Sequence, residues 1–368
     1  MNIINKLNTA VAVIALSLAL FSSCTSSNDY TYGEWLTKAD FDGSHRFGSA
    51  FFVLGGYGYV VGGNNTKTVR LSDAWRYNFS TNQWQQVASF PGEGREYATG
   101  FSCGGYGFVT CGRGYNTTTH ITEYLRDTWK FDPNGTTIDT IQSGITSIVD
   151  TLPGKWVQVS DFPWTARCGA LSVSFSDAAI VGCGYNDDDV LKEMYSYDPS
   201  TDIWTKITFP GKKRQGGMGV AYSDSVAYIG FGYNDDGYNH DFWKYNRKTG
   251  VWTQERDTYN TSSESYDDDY TTLPRAYGGM FKMNNKIYVA LGTNNSTKSD
   301  YWEYTTSTDL WNQDSFTPIT KHSIGTGRYS FAFFNYNNEA FISTGCASTS
   351  TPYDTSFQLV PDVHDDDD

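Results

Sequence analysis

The chain has 368 residues, with 27 Lys and Arg against 41 Asp and Glu, and a formal charge of −14. An acidic chain of this kind repels nucleic acid and anionic lipid surfaces, so neither is expected as a partner. Gly (36), Tyr (27) and Phe (22) abound; apolar runs are short and bounded by Gly, Asn, Asp and Ser, which excludes a helical bundle and predicts strands and turns.

Residues 1–23 read as a secretory signal, with Lys6, an apolar run from Ala10 to Phe21 and then small residues. Phe21-Ser22-Ser23-Cys24 resembles a bacterial lipobox. That resemblance implies export, a diacylated Cys24 and a lipid anchor in the bacterial outer membrane, on its periplasmic or surface face. An ordinary signal peptide cut nearby is the alternative; the apolar stretch is short for a membrane span. Residues 24–33 read as a flexible tether.

One pattern recurs over residues 34–361. Trp35, Trp84, Trp156, Trp204, Trp252 and Trp311 each close a unit. Arg46, Arg95, Arg167, Arg214, Arg275 and Arg328 follow them. After each Arg comes a strand-like run, a tight turn, and a second apolar run ending near Gly, as in "YGYVVGG" and "VAYIGFG". A polar loop then leads to Asp-x-Trp-x-aromatic at Asp73/Trp75/Tyr77, Asp127/Trp129/Phe131, Asp241/Trp243/Tyr245 and Asp300/Trp302/Tyr304. The third copy reads Glu193/Tyr195/Tyr197, and the sixth is reduced to Asp354 and Phe357.

Each unit is four short strands, a to d. One such sheet cannot bury both faces, so the units must stack. Radial stacking gives a β-propeller, which also protects strand edges. The chain begins with a lone fourth strand around Trp35 and ends after a third strand around Phe357. Pairing the first strand with the last three completes a sixth blade. The prediction is an all-β, six-bladed propeller closed by its N-terminal outer strand. Two insertions break the rhythm. Phe131 to Trp156 lengthens the c–d connection of the second blade, and Trp252 to Arg275 contains "YNTSSESYDDDY". Residues 362–368 read as an acidic tail.

The strand-b glycines, the Tyr and the spaced Trp resemble the Kelch repeat family over about residues 34–361. The full Gly doublet survives at Gly62-Gly63; elsewhere its first member is Cys111, Cys183, Phe231, Leu291 or Thr344. The resemblance implies a Kelch-type propeller and selects no function. Some Kelch-like propellers are N-acetylneuraminate epimerases (mutarotases), in which Arg and acid at the channel mouth serve an anionic sugar. Galactose oxidase is related by fold and needs copper with a Cys–Tyr crosslink; Cys346 is the one cysteine placed near such a rim, so that chemistry is not expected.

In such a blade the b–c and d–a loops share one face. The b–c loops carry Tyr115, His120 and Tyr124; Tyr185 and Asp187–Asp189; and Tyr233, Asp235, Asp236, Tyr238 and His240. The d–a loops add Trp164, Tyr266, Asp267–Asp269 and Tyr270. This acidic, aromatic rim is expected to take a glycan or protein partner. Trp164 is the one Trp of eleven outside the repeat, and its face suits a sugar ring; local packing against Pro163 is the alternative. The six Arg share one register and are expected to ring the channel mouth. There they would hold a carboxylate or sulfate, or instead brace the blades through loop carbonyls and nearby acids.

The candidate ligand-binding residues are therefore Trp164, the six Arg, Tyr185, Tyr233, Tyr238 and His240. No catalytic residue is assigned. His45, His120, His240 and His322 fall in rim loops without His-x-His or Cys-x-x-Cys spacing, so no metal site is assigned. No cofactor is expected beyond Ca²⁺ at the Asp-rich loops, which lack the EF-hand Glu. The functional expectation is a lipid-anchored binding module for a glycan or protein; the alternative is a carbohydrate-active enzyme of the mutarotase type.

Overall fold

The computed structural model describes residues 31–364 except 66–68, 117, 144–145, 259–269 and 315–326. Cys24 and the signal, His322, Tyr266 with Asp267–Asp269, and the last four tail residues lie outside the described residues.

Among the described residues there are six four-stranded antiparallel sheets, as the repeat predicts. Blade 1 runs Ala50–Leu54, Tyr57–Asn64, Arg70–Asn78 and Gln83–Val87. Blade 2 begins at Thr99–Cys103, blade 3 at Leu171–Ser174, blade 4 at Met218–Ser223 and blade 5 at Gly279–Met283. Blade 6 takes Ala332–Tyr336, Glu339–Ser343 and Ser356–His364 from the C-terminal end. Its outer strand is Thr31–Lys38, which pairs antiparallel with Ser356–His364, Trp35 opposite Leu359. The expected closure is thus present.

The core lies between blades rather than within one. Phe52 and Tyr59 of blade 1 pack with Phe131 and Trp156 of blade 2. Across the closure, Phe281 and Tyr288 of blade 5 pack with Trp35 and Leu359 of blade 6. A sheet face finds apolar cover only on its neighbour, so each blade depends on the next.

The repeated spacings have physical causes. The second aromatic of each unit faces its closing Trp across strands c and d: Tyr77 opposite Trp84, Tyr197 opposite Trp204, Tyr245 opposite Trp252, Tyr304 opposite Trp311. Their ring centroids lie 4.3–5.1 Å apart. The tight turns between them put Asn82, Asp202 and Asp309 at positive φ, and each side chain accepts the hydroxyl of the paired Tyr at 2.7–2.8 Å. In blade 2 the same pair, Phe131 and Trp156, is kept despite the insertion. The insertion lengthens the c–d connection, as expected, and does so with regular structure. It continues strands c and d as one hairpin, Thr128–Ser143 with Thr146–Val159, after a bulge between Asp132 and Thr136.

The Asp-x-Trp motif and the Arg form one buried unit. Asp73 accepts from Trp75 Nε1 at 2.7 Å and from both Arg46 terminal nitrogens at 2.7 and 2.8 Å. Asp127 with Arg95 and Asp300 with Arg275 repeat this two-pronged pairing. Each of the six Arg also donates Nη1 to the carbonyl of the first doublet residue, at 2.9–3.1 Å: Gly62, Cys111, Cys183, Phe231, Leu291 and Thr344. All six sit at φ of 58–64°. That conformation costs a non-Gly residue about 1–2 kcal/mol. A hydrogen bond to a charged group contributes about 1.5–3 kcal/mol, enough to offset it.

This corrects the expectation that the six Arg line the channel mouth. Their side chains are 0–2% exposed, and the guanidiniums are spent on carbonyls and acids within the blades. They brace; they do not face a ligand. Blade 3 is the loosest copy. Glu193 replaces Asp, and the extra methylene leaves it 3.8 Å from Arg167. In blade 6 the acid is missing, and Arg328 takes Thr355 Oγ1 at 2.9 Å. Asp354 instead meets His45 Nε2 at 2.9 Å.

Candidate ligand-binding site

The residue two places after each Arg also has positive φ: Gly48, Tyr97, Gly169, Gly216, Tyr277 and Ser330. Their backbones form a closed ring. Tyr97 N–H donates to Gly48 C=O, Gly169 to Tyr97, Gly216 to Gly169, Tyr277 to Gly216, Ser330 to Tyr277 and Gly48 to Ser330, at 2.6–3.1 Å. One member comes from each blade, so the ring encircles the axis.

Just above it the residue after each Arg pairs with the residue after each strand-b Gly. The pairs are Phe47 with Asn64, Glu96 with Arg113, Cys168 with Tyr185, Gln215 with Tyr233, Ala276 with Thr293 and Tyr329 with Cys346. No two blades carry the same pair. The bracing Arg repeat six times because a scaffold repeats; this layer differs at every blade, which is what an asymmetric ligand needs.

Tyr97 and Tyr277 make the floor. They come from blades 2 and 5, on opposite sides of the ring, and their ring centroids are 5.5 Å apart. Tyr277 OH donates to Gln215 Oε1 at 3.2 Å, and the Tyr233 ring lies 6.4 Å from Tyr277. Burial raises the hydroxyls of Tyr97, Tyr277 and Tyr185 well above the ordinary phenol range, so all three stay protonated.

One wall is charged. Glu96 is 1% exposed. Its Oε1 accepts from Arg70 Nη2 at 2.6 Å and from Arg113 Nε at 2.7 Å; its Oε2 accepts from Asn64 Nδ2 at 2.6 Å. Arg113 also lies over the Tyr97 ring at 5.5 Å, and Arg70 over Tyr115 at 5.6 Å. Two guanidiniums on one carboxylate leave this corner net positive. Arg113 side-chain exposure is 28%, so its remaining N–H groups reach the mouth. Burial opposes the Arg113 charge, but the Glu96 carboxylate bonded to it outweighs that and holds it protonated.

The same mouth holds two thiols. Burial pushes Cys168 and Cys346 each up to about 12. A protonated, buried thiol is a poor nucleophile and a poor metal ligand. Among the described residues no three His, Cys, Asp or Glu side chains converge on a metal position.

The sequence-based candidates divide. Tyr185 and Tyr233 stand in the mouth. Tyr238 packs on Tyr233 at 5.7 Å and accepts from Asn295 N–H at 3.0 Å, so it belongs to the rim beside them. His240 turns away to Thr258 Oγ1, 3.0 Å from its Nδ1, and burial lowers its pKa. Trp164 is 47% exposed. Lys206, on the outermost strand of blade 3, lies over its ring at 5.5 Å, which places it at the outer rim and not at the mouth. In the Asp-rich loops, Lys213 Nζ bridges Asp189 at 2.6 Å and Asp235 at 2.7 Å. An ammonium thus sits between these two loop acids. Glu96, Arg113, Arg70, Asn64, Tyr97 and Tyr277 were not anticipated. The signal was there in outline: the two residues after each Arg vary while the Arg does not.

The described architecture is that of a β-propeller. A Kelch motif model matches residues 45–91, which span the first Arg, the Gly doublet, Asp-x-Trp and the closing Trp. Among solved structures, the one titled "Structure of YjhT" is similar, with a TM-score of 0.65 and 15% identity over 87% of this chain and 95% of that one. Likeness at that identity establishes the fold alone. No curated protein matches the chain.

Proposed function

We propose that the chain is a binding module that takes a carbohydrate in the axial mouth. The observation that carries this reading is the layer of six dissimilar residue pairs on a tyrosine floor. Tyrosine faces suit the C–H side of a sugar ring, and protonated phenols suit its hydroxyls. Arg113, backed by Arg70, suits a carboxylate on the ligand. Binding is favoured over catalysis because the chemistry-bearing groups are committed. Glu96 is held by three donors, and both mouth thiols are protonated. Trp164 would offer an outer stacking surface to a longer chain. Export and a lipid anchor at Cys24 complete the reading, since a sugar-binding mouth at a membrane surface needs a tether.

A glycan array on the chain from residue 25 onward, followed by calorimetry on the best hit, tests it. Arg113→Ala and Tyr185→Ala should each weaken binding by about 1–3 kcal/mol, with Trp164→Ala weaker in effect. Unchanged affinity in both mouth variants would move the site elsewhere. The alternative, a mutarotase, draws on the pairing of acid and Arg at the mouth. NMR exchange between the anomers of N-acetylneuraminate would reveal it, with Glu96→Gln as the variant to lose it.

A further inference from the structure

Below the tyrosine floor, toward the a–b turns, the axis is open. A cavity of about 290 Å³ runs between the six innermost strands. That is close to the lower end of ligand pockets, roughly 300–1,000 Å³. Among the described residues none that lines it is charged, although the chain carries −14.

The lining is lopsided. The residue five places after each Arg points along the channel wall. On blades 6 and 1 it is Phe333 and Phe51, whose rings meet at 4.5 Å. On blades 2, 3 and 4 it is Gly100, Ser172 and Gly219, blades 3 and 4 lying across the axis, and on blade 5 it is Met280. Two places further along the strands, blades 2 and 3 add Ser102 and Ser174. Ser174 Oγ accepts from Ser102 N–H at 2.9 Å, which leaves the Ser174 proton to give. One half of the channel is therefore aromatic and the other small and hydroxylated. A structural channel would repeat one residue type around the axis, as the bracing Arg do.

We infer that this channel is a second binding site, separate from the mouth, for a small uncharged ring compound with one polar edge. The ring lies against Phe51 and Phe333, and its polar edge faces the serines. Charge is excluded because no lining group could pair with it and burial of a lone ion is costly. The Tyr97–Tyr277 floor separates the two sites, so this inference does not depend on the mouth binding sugar.

The test uses the chain from residue 25 onward, with methionine methyls labelled with ¹³C and indole as the probe. Met280 and Met218 line the channel while also packing in the core between blades 4 and 5; Met194 and Met283 pack in cores and do not line it. Indole should shift the Met280 and Met218 methyls saturably and leave Met194 and Met283 in place. Indole-3-acetate, the same ring with a carboxylate, should bind at least tenfold more weakly. Ser102→Phe, which fills the channel without removing a side-chain hydrogen bond seen here, should abolish the shifts; Arg113→Ala at the mouth should not alter them. Absence of a saturable shift overturns the site. So does an equal response to indole-3-acetate, or shifts that persist in a folded Ser102→Phe protein.

Discussion

Tyr97 and Tyr277, from opposite blades, meet over the propeller axis with their ring centroids 5.5 Å apart. Each holds a left-handed backbone, φ 53° and 54°, at a position where three of the other four blades use Gly. A bulky residue there is strained by about 1–2 kcal/mol. The rings repay this by closing the axis. Tyr277→Phe should lose the bond to Gln215, costing about 0.5–1.5 kcal/mol in urea denaturation, while the floor stays shut. Tyr97→Gly combined with Tyr277→Gly relieves the backbone yet opens a through-channel. Sugar affinity at the mouth should then fall while stability changes little more than in the single variant.

The bracing arginines should rank by geometry. Arg95→Met leaves Asp127 without its two-pronged partner and should cost about 3–5 kcal/mol. Arg167→Met abandons a 3.8 Å contact with Glu193 and two carbonyl bonds, to Cys183 and Thr165, and should cost about 1–3 kcal/mol. Chemical denaturation of the two variants side by side gives the comparison; equal losses would mean that the carboxylate partners matter little.

Acid should loosen the blades. Burial raises the pKa of Asp73, Asp127, Asp241 and Asp300, but their Arg partners and the hydrogen bonds they accept outweigh it, so all four end below the ordinary 3.8. Groups lowered on folding stabilise above the unfolded value and lose that contribution as pH falls through the folded one. From these four groups the melting temperature should be flat between about pH 8 and 5 and drop below about pH 4. In Asp73→Asn the acid-side drop should be shallower. A wild-type decline already complete by pH 5 would point to other groups.

Ring closure has a direct test. Deleting the chain through Lys38 removes the strand that holds Trp35, which is 1% exposed in the core between blades 5 and 6. It also bares the edge of Ser356–His364. Scanning calorimetry should show a large loss of stability, and light scattering should show association through the bared edge. A truncated protein as stable and monodisperse as the parent would refute the closure.

Trp164 and Trp311 make a matched pair. Trp164 is 47% exposed and Trp311 3%. Trp311→Ala should cost about 3–5 kcal/mol. Trp164→Ala should leave the melting temperature nearly unchanged, since only Lys206 lies over its ring.

The fold was legible because its signals are local and repeated. The Tyr-to-Trp interval is a cross-strand pair with a tight turn. The lone strand around Trp35 and the missing fourth strand at the other end announced the closure. The site was harder to read. Repetition drew attention to the Arg, and repetition marks bracing. Glu96 and Arg113 are far apart in the chain and become neighbours only when the strands pair. Tyr97 and Tyr277 left only the variation at the second place after each Arg as a cue, and a left-handed turn leads a reader to look for Gly. The hairpin beyond Phe131 was hidden because an insertion that lengthens a connection looks the same, in residue count, as one that extends two strands.

The six amides at the axis have an electrical consequence. Each donates to the blade before it, so their dipoles run head to tail around a circle and cancel. A helix N-terminus, by contrast, sums its dipoles along one direction and draws any anion to its end. This mouth has no such axial pull. Whatever field an arriving ion meets comes from the Arg70–Glu96–Arg113 corner, off to the side where blades 1 and 2 meet. A charged ligand would be turned toward that corner before it settles, and the mouth would set its orientation as well as its affinity.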